Sequence, residues 1–489
     1  MQMKSKLPRS SPEEQGVSSK AISQFLDNIQ EEKHELHSLM ILRHGHVITE
    51  GWWNPFNSDN EHALFSLTKS FTSIAVGFAI NEGLFSLEDT VSSFFPDIEI
   101  NQINGFKPIQ VRDLLTLSVG HEKATMGWDL QQIKGSWIEH FLNIPLDHEP
   151  GTRFLYNTSA SHMLSAIVQQ VTGKKLIDFL EPRLFGPLGI SKPNWQTSPD
   201  GHNTGGHGMS LKTDDIAKFG QFLLQKGFWE GRQLLPVSWI EEASSLQILN
   251  GDNKDDDWQQ GYGYQFWLCR HGAYRADGAY GQFCIILPDQ EAVVIMTGAV
   301  QNGARVLNLV WECLLSAMRK DPFPKDLSAQ TTLRHQLKNL RLEIPELAEI
   351  SPLSKVISNK IYKMDSNIHN IKEVSIMFDS DSCTFMVMDS RGKHYIKCGY
   401  QEWVEGTTVL FDNVYHFLYQ PEEVKVYAKA GWKNEKEFEM IWCFIDTPFT
   451  DKLTCRFDGK NIQLKREMNM VQDHGQYTIG GRMEKKSFN

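Results

Sequence analysis

The chain has 489 residues, 40% hydrophobic and 22% charged, an ordinary globular composition and long enough for two separate cores. A formal net charge of −11 and an isoelectric point near 5.9 exclude the basic surface that sequence-independent nucleic-acid binding needs. No basic amphipathic segment would hold a membrane surface, and the best apolar run, "SIAVGFAI", falls far short of the ~20 residues that span a bilayer.

The N-terminal stretch "MQMKSKLPRSSPEEQG" carries positive charges with no apolar run behind them, so a cytoplasmic location is expected. Residues 38–54 predict two strands turning at His44-Gly45-His46. His34, His37, His44 and His46 read as loop or surface histidines, because no third ligand and no HExxH accompanies them; no metal is expected. Trp52, Trp53 and Trp128 read as packing residues, with the wall of an acyl pocket as the other use. A helix is predicted from about Ser66 to Glu82, stopped by Gly83, with Phe71, Ile74, Ala75, Phe78 and Ala79 as its core stripe. Two more amphipathic helices follow, 159–175 ending at Gly173 and 212–227 with Thr213 as N-cap. Strands are predicted at 261–270, 281–289 and 292–300, and a helix at 302–318.

Residues 323–350 are proline-punctuated and polar and read as a linker containing one helix. Beyond it, 351–489 shows short strands with hairpin signals at Ser390-Arg391-Gly392 and Asp458-Gly459-Lys460, an all-β domain built as a sandwich or open barrel with a frayed last dozen residues. The seven cysteines are scattered and never form a CxxC pair, so they are expected to be reduced and buried. "GGHGMS" and "GYGYQF" match neither GxGxxG nor a P-loop, and no nucleotide or other cofactor is expected.

The chemistry concentrates at Ser66 and Lys69, three residues apart at a helix start. A serine hydroxyl needs a base before it attacks, and an amine one turn away can serve if desolvation makes it neutral. A second SxxK, Ser390 to Lys393, lies in a hairpin turn and reads as chance. Taken alone, Ser66 could equally be an N-cap serine beside a surface lysine. Tyr156, on a loop after a Pro-Gly turn, offers a phenol that could shuttle a proton if a neighbouring ammonium lowers its pKa; its bland reading is a core aromatic.

"FSLTKSFTS", "PGTRFLYNTSASHMLSAIVQQVTG", "GHGMSLKTDDIAKFGQFLLQKGFWEGRQLLP" and "ADGAYGQFCIILPDQEAVVIMTG" occur in this order. They resemble the serine β-lactamase and penicillin-binding protein superfamily, in particular the branch of class C β-lactamases, family VIII esterases and D-stereospecific amidohydrolases. The resemblance covers roughly residues 10–320 and implies an α/β (α+β) fold: an antiparallel sheet flanked by helices, with an all-helical insert. The hydrolase domain would then be 1–322, followed by the linker and the all-β domain 351–489.

It also implies that Ser66 is the acylated nucleophile, that Lys69 and Tyr156 share acid and base work, and that the N–H groups of Ser66 and Ala279 form the oxyanion hole. Gly278 is a substrate-binding candidate, and Tyr280 and Gln282, which flank the third motif, read either as lining the cleft or as core or strand-edge residues. Two departures stand out. Tyr-x-Asn is replaced by Tyr156-Asn157-Thr158, so Thr158, or Asn157 after a small shift, would meet the substrate amide. The Lys/His-x-Gly motif is replaced by Ala276-Asp277-Gly278, which removes the cation expected to hold a substrate carboxylate and points to a neutral ester or amide. Asp277 itself reads as an outward-facing surface carboxylate, with attraction of a cationic substrate as the other reading. The expected function is a serine hydrolase acting on a small-molecule ester, amide or β-lactam, compatible with a homo-oligomer; the rival is a catalytically reduced ligand-binding or sensing module.

Overall fold

The computed structural model describes residues 6–100, 105–125, 133, 135–349, 351–410, 423–470 and 476–484; Trp128 lies outside them. The chain divides into two compact units, Met1–Trp53 with Asn57–Leu340, and Asn54–Phe56 with Arg341–Asn489. Among the described residues no helix is long and apolar enough to cross a membrane.

The first unit is built on a six-stranded antiparallel sheet in the order His46–Trp52, Leu36–Arg43, Ala292–Gly298, Gln282–Leu287, Tyr274–Gly278, Trp267–Leu268. Leu36–Arg43 is buried at every position, as expected of a strand covered on both faces. The turn before His46 places both His44 (φ 48°) and Gly45 (φ 75°) in the left-handed region, the signature of a tight hairpin. Helix Thr213–Leu224 lies so close on this sheet that a Cβ at Gly220 would strike Val293 and Cys284. Thr213 does not cap this helix: Lys212 holds that position, and the Thr213 hydroxyl donates to Ser38 Oγ at 2.8 Å.

Helix Thr68–Asn81 is buried from Thr68 to Ala79, because its sequence is apolar or small all round and it runs through the middle of the unit. Phe71 stacks on Phe219 with centroids 3.8 Å apart, locking this helix to Thr213–Leu224. Helix Thr158–Thr172 packs beside it and ends at Gly173 in the left-handed conformation. The antiparallel sheet with flanking helices predicted from sequence is therefore present.

Several local expectations are corrected. The run 261–270 is mostly irregular, with only Trp267–Leu268 in the sheet. His37 is buried rather than at the surface, its Nδ1 3.0 Å from His62 Nε2. Helix Leu327–Lys338, within the stretch read as a linker, packs on helix Ser19–Glu31 and donates from Gln336 Nε2 to Asp27 Oδ1 at 2.7 Å, so it belongs to the first unit. None of the seven cysteines is in a disulfide, and all except the half-buried Cys313 are buried.

The second unit is one ten-stranded sheet. Its order is Lys393–Gly399, Ser382–Met388, Glu373–Phe378, Tyr362–Met364, Gln476–Met483, Asn461–Met468, Thr450–Asp458, Glu437–Phe444, Val424–Trp432, Val404–Thr408. A parallel bridge from Gly399 to Lys429 brings its ends together, making a barrel. Gln476–Met483, which overlaps the stretch expected to fray, pairs with Asn461–Met468 along its length and with Tyr362–Met364 at Gly481–Met483; residues 485–489 lie outside the described residues.

Candidate active site

Ser66 sits in a single 3₁₀ turn, Phe65–Leu67, that leads into helix Thr68–Asn81. Phe65, directly before it, has φ of 48°, a conformation that costs a non-glycine residue roughly 1–3 kcal/mol and persists only when its surroundings enforce it. Two contacts do so: Leu64 N–H donates to Met209 O at 2.8 Å, and the Phe65 ring meets Tyr280 edge-on at 5.3 Å. The bent backbone leaves Ser66 half-buried while its neighbours Phe65 and Leu67 are buried.

Lys69 is 1% exposed, and its Nζ donates to Ser66 Oγ at 2.9 Å, Thr158 Oγ1 at 3.2 Å and Gly206 O at 2.8 Å. All three partners are uncharged oxygens. Burial therefore dominates and lowers the Lys69 pKa to about 7, with the field of Asp277 opposing it. Near neutral pH about half of the amines are unprotonated, and the same contact can then run in reverse, with Nζ accepting the Ser66 proton.

Tyr156 joins the pair from the loop before helix Thr158–Thr172. Its ring lies under Lys69 Nζ at 4.8 Å and stacks on Trp267 at 5.3 Å. Burial raises its pKa well above the ordinary phenol value, and a hydrogen bond with Ser66 only partly offsets this. The expectation of a phenol made more acidic is thus overturned. Lys69 Nζ lies over the ring, and burial keeps the phenol neutral.

The end of strand Tyr274–Gly278 closes on this group. A Cβ at Gly278 would collide with the carbonyl oxygen of Leu64, so only glycine lets the strand pass so near the Ser66 turn. Ala279 and Tyr280 follow, both half-buried, with Tyr280 at φ 66°. Gln282 takes the core reading rather than the cleft one, being fully buried. Its Nε2 donates to Ala279 O, Tyr280 O and Gly298 O at 3.1, 3.2 and 2.8 Å, and its Oε1 accepts from Gly298 N at 3.3 Å. It shapes the turn, and its burial keeps it away from a ligand.

Thr158, not Asn157, faces the amine. Asn157 is fully buried as the helix N-cap, accepting from Ser159 N at 3.2 Å, Ser159 Oγ at 2.6 Å and Thr125 Oγ1 at 3.1 Å, which removes it from substrate contact. Asp277 is likewise not an outward-facing surface group. Its side chain is only 11% exposed and accepts from Arg275 Nε at 2.7 Å. Burial raises its pKa, while Arg275 and Lys69 pull it down.

Arg275, Gly206 and Trp267 are the participants the sequence did not single out. The Arg275 guanidinium is fully buried, donates to Asp257 O at 2.9 Å, and lies 4.4 Å from the centre of the Trp258 ring and 5.6 Å from that of Trp267. The alternation Arg275-x-Asp277 in a strand was the available signal, since residues two apart share a face. Trp52 is half-buried on the core and Trp53 is buried. Among the described residues no three His, Cys, Asp or Glu side chains are grouped to hold a metal ion.

A protein-family model described as Beta-lactamase matches residues 25–308. The 6-aminohexanoate-dimer hydrolase of Paenarthrobacter ureafaciens is 22% identical over 279 residues, covering 53% of this chain and 71% of that protein. The lovastatin esterase of Penicillium rubens is 29% identical over 168 residues, covering 30% of this chain and 42% of that protein. Among solved structures, EstCE1, a hydrolase with promiscuous acyltransferase activity, aligns with a TM-score of 0.51 at 17% identity, over 60% of this chain and 99% of that one, a likeness of fold alone.

Proposed function

The chain belongs to the beta-lactamase family, and from that premise we propose that it is a serine hydrolase that works through an acyl-enzyme on Ser66 and prefers neutral esters or amides. The observation that carries this reading is the 2.9 Å contact between Ser66 Oγ and a buried lysine whose pKa is lowered to about 7. Neutral Lys69 takes the Ser66 proton as Oγ attacks the substrate carbonyl. The backbone N–H groups of Ser66 and Ala279 are assigned to the developing oxyanion, a role typically worth about 2.7–4 kcal/mol per donor. Tyr156 passes its proton to the leaving group and is reprotonated by the Lys69 ammonium, which restores the neutral amine. Water then attacks the acyl carbonyl as Lys69 takes its proton, and that proton returns to Ser66 Oγ as the acid departs.

The preference for neutral substrates rests on Asp277. Ala276 takes the first position of the third motif, where the family's cation would stand, and Asp277 beside it, fixed by its ion pair with Arg275, adds a carboxylate whose field reaches Lys69 and would disfavour a second anion. The name of one relative, a lovastatin esterase, agrees with an ester substrate. A cytoplasmic location is part of the same proposal, supported by seven cysteines of which none is in a disulfide. Steady-state kinetics with p-nitrophenyl butyrate, a D-amino acid amide and nitrocefin test the reading. Turnover of the neutral ester, larger kcat/KM than for carboxylate-bearing nitrocefin, and loss in Ser66→Ala are expected. Equal ligand binding by wild type and Ser66→Ala with turnover in neither would mark a binding module instead.

A further inference from the structure

The C-terminal barrel is not filled. A cavity of about 260 Å³ lies inside it, lined wholly by residues of the second unit. Phe385 and Val387 of one strand, Trp442, Leu453 and Leu464 of others form an apolar wall, each almost completely buried. Protein interiors normally leave few voids larger than a water molecule, so a space of this size, walled by mostly apolar side chains of five strands and open on one side, marks a ligand space. At one side Ile368 is 87% exposed beside the stacked rings of His369 and Tyr477, 3.9 Å apart.

The charges around this space are already matched. Arg466 is held by Asp451, also donating to Leu410 O at 2.9 Å. Arg391 donates to Asp389 Oδ2 at 2.6 Å, and Asp389 also meets His394 Nε2 at 2.9 Å. A charged ligand would have to break one of these pairs. One donor on the wall differs: the Trp442 indole N–H is buried with no hydrogen-bond partner among the described residues. Buried donors ordinarily find an acceptor.

We propose that the barrel is a binding site for a compact, mainly apolar, uncharged molecule with one hydrogen-bond acceptor, such as an ester or an aryl ketone, whose oxygen accepts from Trp442. The volume sets an upper size below that of ordinary drug-like ligands. The site is independent of Ser66 and needs no hydrolysis.

The test uses the full-length Ser66→Ala chain and prodan, a neutral naphthyl ketone whose emission shifts to the blue in apolar surroundings. Saturable binding of one dye per chain, displaced by acetophenone, is expected. Val387→Trp, which fills the cavity, should weaken binding at least tenfold. Trp442→Phe, which keeps the ring and removes the donor, should weaken it by about 2–13-fold, the span of one net hydrogen bond. Circular dichroism of each variant checks folding, and Leu464→Phe is a milder filling substitution should Val387→Trp not fold. Absence of saturable binding, or binding untouched by the filling and Trp442 variants, would overturn the proposal. So would loss of dye binding in wild-type protein once Ser66 is acylated, because the dye would then sit in the catalytic cleft.

Discussion

Replacing Lys69 by methionine removes the amine and keeps the length of the side chain. In the structure Nζ is the group placed to take the Ser66 proton, 2.9 Å from Oγ, since burial keeps the Tyr156 phenol well above its ordinary pKa. Loss of a positioned general base typically slows a reaction by about 10²–10⁴, or roughly 2.7–5.5 kcal/mol of barrier. The wild-type pH dependence gives a second, independent measure. Because folding lowers the lysine pKa to about 7, the reactive neutral form should make up about half of the enzyme at pH 7 and roughly a tenth at pH 6. The rate should therefore rise with pH through about 7 and level off above it, the sign expected of a base that must lose its proton. The assay is kcat/KM for p-nitrophenyl butyrate from pH 5 to 9, for wild type and Lys69→Met. A flat wild-type profile across pH 6–8, or a methionine variant within tenfold of wild type, would refute the assignment.

Tyr156→Phe keeps the stack on Trp267 and removes the hydroxyl, so kcat should fall by about 10²–10⁴ with an unchanged melting temperature. Asp277→Asn leaves the buried Arg275 without its counter-charge and should cost about 3–5 kcal/mol in denaturant titration. The same change removes a charge that raises the Lys69 pKa, so the ascending limb of the pH profile should move to lower pH. Gln282→Met releases the carbonyls of Ala279, Tyr280 and Gly298; kcat should drop by about tenfold or more, with KM for the neutral ester little changed, if the turn holds an oxyanion donor.

The parts of this protein that follow one period were legible in the sequence. The helix after Ser66 shows its apolar spacing, the central strands are continuous hydrophobic runs, and hairpins announce themselves by Gly-containing turns. Ser66, Lys69 and Tyr156 were legible for another reason: each had a bland reading taken alone, but their motifs occur in the order of a known family, and the structure brings the three together. What escaped was set by tertiary contact. Gln282 could be read as a cleft residue because strand alternation does not reveal that its amide is consumed by three carbonyls across a turn. Asn157 and Thr158 are adjacent, and only the register of the helix start decides which one faces Lys69. Asp277 read as surface because its neutralising partner, Arg275, stands two residues away and shares its buried face. Helix Leu327–Lys338 buries little besides Ala329 and Leu333, so its composition looked like a linker.

The most direct measurement is mass spectrometry of peptides from protein incubated with a fluorophosphonate at pH 8 and at pH 6. A single adduct on Ser66, forming several-fold faster at pH 8 and absent from Ser66→Ala, is the predicted result. An unlabelled Ser66, or labelling that persists equally in the alanine variant, would contradict a nucleophile activated by a buried, neutral amine.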